Sequence, residues 1–318
     1  MTVITKPLIK WIGGKTQIID HVMARFPLEM NNYHEIFLGG GSVLLALLDR
    51  IHAGEVRVHG NIYAYDMNAS LIQFYQHVQT RPPRELYQEI RQLMDVFEQL
   101  PDEGEPGEEI CRKPTTYAEA KRCKETYYYW IRAQYNETRD DILSSLTASA
   151  HFLFLNKTCF RGMYRVGPHG FNVPYGHYKH PEIVSLAHLE AVHGCIQGVR
   201  FICADFRASM PLIYGNTDFV YMDPPYFPET ATSFVGYTEG GFTLDMHEQL
   251  RSLTRELTHQ LTPWLMSNAD VPWIREQYTT NDATTHIHSL VCKRTINAKK
   301  PNATTNEVLI SCPPSSST

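Results

Sequence analysis

Asp223-Pro224-Pro225-Tyr226 brings together, in four residues, what is needed to grip a planar ring that carries an exocyclic amine. The apolar run FVYM (219–222) precedes it, and consecutive prolines stop such a strand and fix the backbone that follows. The turn offers a carboxylate at Asp223, a carbonyl at Pro224 with no amide donor on Pro225, and an aromatic face at Tyr226. Asp223 and the Pro224 carbonyl can accept both N–H groups of an amine while Tyr226 stacks on the ring. A plain strand-ending turn is the alternative, and four residues of this kind in a row count against it.

Near the N-terminus, Gly13-Gly14-Lys15-Thr16 ends like a phosphate-binding loop. That loop needs a further glycine five residues before Gly14 and a strand ahead of it. Position 9 is Ile9, and too few residues lie upstream for the strand. Lys15 is therefore expected to serve a ligand other than a nucleoside triphosphate.

Three more strand ends carry polar or glycine signals. Phe37-Leu38-Gly39-Gly40-Gly41-Ser42 is a glycine turn before the apolar run VLLALL. Its spacing is not that of a dinucleotide site, yet it lets a ligand approach the backbone closely. Asp66 follows NIYAY and suits ribose hydroxyls, or simply closes a turn. Asp205-Phe206 follows VRFICA and reads either as a ligand contact or as a helix N-cap with a core aromatic.

The elements that must position these residues alternate between strand and helix. YHEIFLGG (33–40), NIYAYDMN (61–68), VRFICADF (199–206), DFVYMDPPY (218–226) and PWLMSNAD (263–270) read as strands. TLDMHEQLRSLTRELTHQL (243–261) places Leu250, Leu253, Leu257 and Leu261 at helical spacing. Such alternation predicts an α/β fold with a parallel sheet, whose ligands bind beyond the carboxyl ends of the strands. HIHSLV (286–291) and NEVLIS (306–311) are expected to add an antiparallel pair, and the tail PPSSST to be disordered. Residues 71–190 read differently. Helical patterns (LIQFYQHV, ELYQEIRQLMDVFEQL, AEAKRCKETYYYWIRAQYN, SLTASAHFLFLN) lead into FRGMYRVGPHGFNVPYG, a hairpin turning through Gly167–Gly170.

The bulk composition excludes several classes. The 318 residues, 43% hydrophobic and 20% charged, contain no apolar run long enough to span a membrane and no signal-peptide core. Seven cysteines without a Cys-x-x-Cys pair argue against a disulfide framework or structural zinc, and for a reducing, cytoplasmic setting. Fifteen histidines include no metalloprotease motif, since Arg251 stands where the second ligand after His247-Glu248 belongs. The formal net charge of −5 conceals an uneven distribution. PDEGEPGEE (101–109) is an acidic loop. Residues 156–181 hold Lys157, Arg161, Arg165 and Lys179, and residues 283–306 hold Lys293, Arg294, Lys299 and Lys300, with no carboxylate in either window.

Asp223–Tyr226, together with Lys10-Trp11-Ile12-Gly13-Gly14-Lys15, resembles the DNA adenine-specific methyltransferases of the Dam type. The likeness runs nearly the whole length: the Gly39–Gly41 turn, Asp66-Met67-Asn68, the segment from Asn156 to Arg165, Phe171-Asn172-Val173-Pro174, and Ser267-Asn268. It implies a Rossmann-like S-adenosylmethionine methyltransferase sheet (residues 1–70 and 191–318) with an inserted, mostly helical DNA-recognition domain carrying a β-hairpin (71–190). S-adenosyl-L-methionine would be held by Trp11, Lys15, Phe37, Gly39, Gly41, Asp66, Asp205, Phe206 and Asp223. Asp223, Pro224 and Tyr226 would carry catalysis on an adenine flipped out of double-stranded DNA. Lys157, Phe160, Arg161, Met163, Arg165, Asn172 and Lys179 would contact that DNA, with Phe160 or Met163 filling the gap and Arg165 reading a guanine. No metal or membrane is required, a monomer is expected, and restriction-modification is the expected setting. Ile36 stands where the family commonly has proline, and Arg161 where the bacterial enzyme has asparagine. An RNA adenine methyltransferase and a silent DNA-binding paralogue are the competing readings.

Overall fold

Parallel strands whose first residues are β-branched or aromatic build the frame of this protein. The computed structural model describes residues 5–104, 107, 109–137, 145–228, 241–279, 285–293 and 304–313. The chain forms two compact units, one of Lys15–Met67 with Gly198–Thr318 and one of Thr5–Gly14 with Asn68–Gln197.

The first unit holds a seven-stranded sheet. Its strands are β1 (Tyr33–Glu35), β2 (Ile62–Asp66), β3 (Val199–Cys203), β4 (Phe219–Met222), β5 (Trp264–Ala269), β6 (His286–Lys293) and β7 (Thr304–Cys312). They lie in the order β6-β7-β5-β4-β1-β2-β3. The five from β5 to β3 run parallel, while β7 is antiparallel to both β5 and β6. The expected α/β sheet and its closing antiparallel pair are thus present. β4 and β5 are buried at every residue, as a parallel strand covered on both faces must be. Val220, Met222, Trp264, Met266, Val308 and Ile310 meet Leu250 and Leu257 of the helix Leu244–His259 in one core. Leu261, expected on that helix, lies beyond it. The helix stops at His259, Leu261 turns left-handed (φ 58°) and is exposed, and Pro263 follows.

The second unit is mostly helical: Ala69–Thr80, Pro83–Gln99, Lys124–Glu137, Leu146–Thr158 and Leu186–Cys195. The pattern read as one helix over 118–136 is broken. A capping box at Thr116 and Glu119 starts a single turn, Tyr117–Ala120, and the Lys124 amide then bonds the Pro101 carbonyl rather than continuing it. The hairpin is real but short. Val166 pairs with Phe171 and Gly167 with Gly170, and Asn172 N–H donates to the Arg165 carbonyl. Phe160, Arg161 and Met163, read as part of the hairpin, instead lie in and after a 3-10 turn, Phe160–Gly162, that precedes it.

That turn is set by Asn156, 2% exposed at the end of its helix. Its side chain accepts from Lys10 N–H at 2.8 Å and donates to the Lys10 carbonyl at 2.7 Å, tethering the N-terminal segment. Gly162 (φ 63°) lies so close that a Cβ there would fall 2.4 Å from Lys10 Cβ, so only glycine fits. Arg294, Lys299, Lys300, part of the acidic loop and the tail beyond Pro313 lie outside the described residues. Among those described, no helix is long and apolar enough to cross a membrane and no cluster of His, Cys, Asp or Glu could hold a metal.

Asn156→Ala leaves the Lys10 backbone amide and carbonyl without these partners. Its urea midpoint is expected to fall by the equivalent of about 2 kcal/mol, with an unchanged slope, by circular dichroism.

Candidate functional site

The carboxyl ends of the parallel strands gather most of the residues singled out above. β1 ends at Glu35, and the chain then passes through Phe37 to the glycine turn. Gly39 (φ 49°) and Gly41 (φ 71°) are both left-handed, and Gly41 serves as N-cap of the helix Ser42–His52. Side chains avoid such angles, which explains the glycine run. Next to it, Asp66 at the end of β2 accepts the Gly39 N–H through Oδ2 at 3.0 Å. The carboxylate and the turn therefore hold each other.

Beyond β3, Asp205 caps the helix Phe206–Ser209. Its Oδ1 accepts from Arg207 N–H at 2.8 Å, and the Arg207 guanidinium closes on both oxygens at 2.8 and 2.7 Å. These bonds lower the Asp205 pKa. Phe206 is buried against Phe37 and Phe242, with ring centroids 5.7 and 5.4 Å away. Capping and core packing are what these two residues visibly do.

At the end of β4, Lys15 meets Asp223. The ammonium lies 2.8 Å from Asp223 Oδ1, with the lysine side chain 4% exposed and the aspartate 20%. Lys15 heads a 3-10 turn, Lys15–Gln17, and its backbone N–H donates to Ser42 Oγ at 3.1 Å, which binds it to the glycine-turn helix. The ammonium also stands 4.7 Å from the centroid of the Tyr226 ring, within cation–π range. Lys15, Asp223 and Tyr226, distant in sequence, thus form one cluster. Pro224 is buried and Pro225 exposed, so the rigid turn faces inward at its first proline. Burial raises the Asp223 pKa to about 6, opposed by Lys15 and reinforced by the charge of Glu307.

Three members of this neighbourhood escaped the sequence reading. Glu35, buried at the end of β1, accepts the Tyr33 hydroxyl at 2.7 Å. Burial pushes its pKa up to about 8, with Asp223 adding to the rise and the Tyr33 bond opposing it. Asn268 at the end of β5, quoted only as part of a motif, accepts Phe227 N–H at 3.1 Å. Glu307 of β7 accepts the Tyr226 hydroxyl at 2.8 Å. Glu307 does carry a trace in sequence, as a lone carboxylate inside an apolar, β-prone run directly after a carboxylate-free window.

In the second unit, Trp11 stacks on Tyr164, with centroids 5.7 Å apart and planes at 23°. Arg165 is exposed, and its Nε donates to Asn172 Oδ1 at 2.6 Å, so one edge of its guanidinium is held across the hairpin. Phe160, Arg161 and Lys179 are exposed and Met163 is half-buried. Arg161 is left-handed (φ 57°), a strained setting for a non-glycine residue. Lys157 is half-buried; burial, with Lys10 adding, lowers its pKa to about 8, against a smaller opposing effect of Glu182.

The family model for the D12 class N6 adenine-specific DNA methyltransferases matches residues 11–296. A type II methyltransferase of Methanocaldococcus jannaschii, M.MjaIII, is 33% identical over 302 residues, which cover 92% of this chain and 93% of that protein. The DNA adenine methylase of Escherichia coli K12 is 29% identical over 275 residues, 86% of this chain and 84% of the relative. The DNA N-6-adenine-methyltransferase of Escherichia phage P1 is 29% identical over 297 residues, 92% of this chain and 33% of the relative.

Glu35 gives a prediction with a definite sign. Its pKa in the fold lies above the ordinary carboxyl value, so the stability it confers is complete in acid and lost as pH rises through about 8. Glu35→Gln removes the ionisable group and keeps an acceptor for Tyr33. Its melting temperature is expected to decline less than that of the wild type between about pH 5 and pH 9, as scanning calorimetry at stepped pH would show.

Proposed function

Given that this chain belongs to the D12 class N6 adenine-specific DNA methyltransferases, we propose that it methylates the exocyclic amine of an adenine turned out of duplex DNA, with S-adenosyl-L-methionine as donor. The observation that carries this reading is the Lys15–Asp223–Tyr226 cluster at the strand ends. It places a carboxylate, a rigid proline carbonyl and an aromatic face in one desolvated spot.

The groups present match the donor's chemistry. The Lys15 ammonium and Asp223 suit its amino-acid end, Asp66 its ribose hydroxyls, and Asp205 with Phe206 its adenine. Phe37, Gly39 and Gly41 form the wall that permits close approach, and Trp11 joins the set on the resemblance. When bound, S-adenosylmethionine supplies an electrophilic methyl on a cationic sulfonium. The protein's task is then to make the adenine amine a nucleophile. The nitrogen lone pair is delocalised into the ring. Acceptance of its two N–H groups by Asp223 and the Pro224 carbonyl localises density on nitrogen and stabilises the charge that develops there. Acceptors fixed before the reaction act without reorganising, which makes this kind of term large. Extracting the base from the duplex costs about a few kcal/mol, and stacking on Tyr226 offsets part of it.

DNA would be gripped by the second unit, where Lys157 and Lys179 meet phosphates and Phe160 or Met163 fills the space the base leaves. Arg161 adds positive charge at the same turn. Arg165, steadied through Nε by Asn172, turns its remaining donors toward a guanine, the base whose major-groove edge presents two acceptors. Cysteines without a Cys-x-x-Cys pair fit a reducing, cytoplasmic setting for this enzyme, and a monomer is the proposed state.

The reading is tested at Asp223. Asp223→Ala is expected to retain its circular dichroism spectrum and lose tritiated-methyl transfer to DNA, and substantial residual transfer would refute it. In the wild type, kcat/KM is expected to fall as pH drops through about 6, because a protonated Asp223 is a poorer acceptor for the amine. Specificity is tested at Arg165. Arg165→Ala is expected to cost about 1–3 kcal/mol at one base pair and relax the preference there. Methylation rates on duplexes varied one base pair at a time decide this, and an even loss on all sites would assign Arg165 to a phosphate.

A further inference from the structure

Tyr226 is held from a direction that its own motif does not contain. Its hydroxyl donates to Glu307 Oε2 at 2.8 Å, and Glu307 lies on β7 opposite Ala269 of β5. One residue back on β5, Asn268 Oδ1 accepts the N–H of Phe227 at 3.1 Å. The two residues that follow the prolines are therefore gripped twice, the backbone by β5 and the aromatic side chain by β7. The rigid turn alone fixes only the start of this segment. A tyrosine ring still rotates about two side-chain torsions, and a bond at its far end to a strand residue removes that freedom. Lys15 completes the frame, 4.7 Å from the ring centroid and 2.8 Å from Asp223 Oδ1.

We propose that Glu307 is a positioning residue for methyl transfer, which through the Tyr226 hydroxyl fixes the plane on which the target base stacks beside Asp223. This rests on the reading of Asp223 and Tyr226 given above. Orientation of this kind contributes to rate rather than to affinity, since a base that stacks in a shifted plane is bound but misaligned. The charge of Glu307 has a second effect. Asp223 faces Lys15, which lowers its pKa, and Glu307, which raises it; Glu35, Tyr221 and Tyr226 are the other ionisable groups in electrostatic contact with it. An amide at position 307 would keep an acceptor for the tyrosine and remove the charge.

The test measures tritiated-methyl transfer to DNA from cells lacking adenine methylation, using wild type, Glu307→Ala, Glu307→Gln, Tyr226→Phe and the Glu307→Ala/Tyr226→Phe double variant. Glu307→Ala and Tyr226→Phe are each expected to lower kcat about ten- to hundredfold, the range for losing a hydrogen bond to a charged group, and the cofactor KM is expected to change little. The double variant is expected to be no slower than Tyr226→Phe, because both changes break one contact. Glu307→Gln is expected to recover most of kcat and to move the acid limb of its kcat/KM profile to lower pH. Multiplying losses in the double variant, a wild-type kcat in Glu307→Ala, or a change confined to KM would overturn the proposal. Should Glu307→Ala fail to fold by circular dichroism, Tyr226→Phe alone and combined with Glu307→Gln decide: a wild-type kcat in the first or a further loss of kcat in the second overturns the proposal, and a lowered kcat that Glu307→Gln leaves unchanged upholds it. An Asp223→Ala protein that still methylates would sink the underlying reading, whereas a dead Asp223→Ala beside an indifferent Glu307 sinks this inference alone.

Discussion

Burial drives the Asp223 carboxyl toward its neutral form, and the Lys15 ammonium 2.8 Å away works against that drive. In the role proposed for it, Asp223 accepts an amine best when ionised and when shielded from water, two demands that oppose each other. The lysine reconciles them and creates a further demand, because a cation 4% exposed needs support of its own. Ser42 holds its backbone, and the electron-rich face of Tyr226 lies within reach of its charge. Tyr226 in turn leans on Glu307. Each polar group at the strand ends thus has its place because another would be costly without it.

The sheet makes such mutual support possible. Parallel strands end on the same side, so residues that follow β1, β2, β3 and β4 become neighbours although they are spread over nearly two hundred positions. The antiparallel β7, lying between β5 and β6, brings a late segment of the chain to the same edge. Without that reversal of direction, Glu307 would stand at the opposite edge of the sheet, away from the strand ends that hold Asp223.

What could be read from sequence follows the range of the forces involved. The Asp223–Tyr226 turn was legible because prolines act on their immediate neighbours, and the glycine turn because left-handed angles demand glycine locally. The strands of the parallel sheet and the final antiparallel pair were legible through their apolar, β-prone runs. Asp205-Phe206 admits two readings in sequence, since a capping carboxylate and a ligand carboxylate carry the same local signature. Phe160, Arg161 and Met163 were assigned to the hairpin because nothing local reveals that Asn156 is bonded to Lys10, 146 positions away. Glu307 escaped for the same reason, as its partner lies 81 residues earlier. Leu261 shows the converse error, in which a periodic pattern ran two residues past the helix that Pro263 helps to end.

The placement of β7 also has a meaning in time. A chain leaving the ribosome can assemble β1 to β5 as a parallel sheet, yet among the described residues β6 pairs only with β7 and must wait at the margin for a partner synthesised after it. During synthesis the chain folds from its N-terminal side, so contacts to β7 cannot form before β7 itself is made. The hydroxyl of Tyr226 therefore finds its acceptor only when the last strand of the sheet slots in. Completion of the site coincides with completion of the sheet, so that a partly made chain carries the motif and lacks the frame that aligns it.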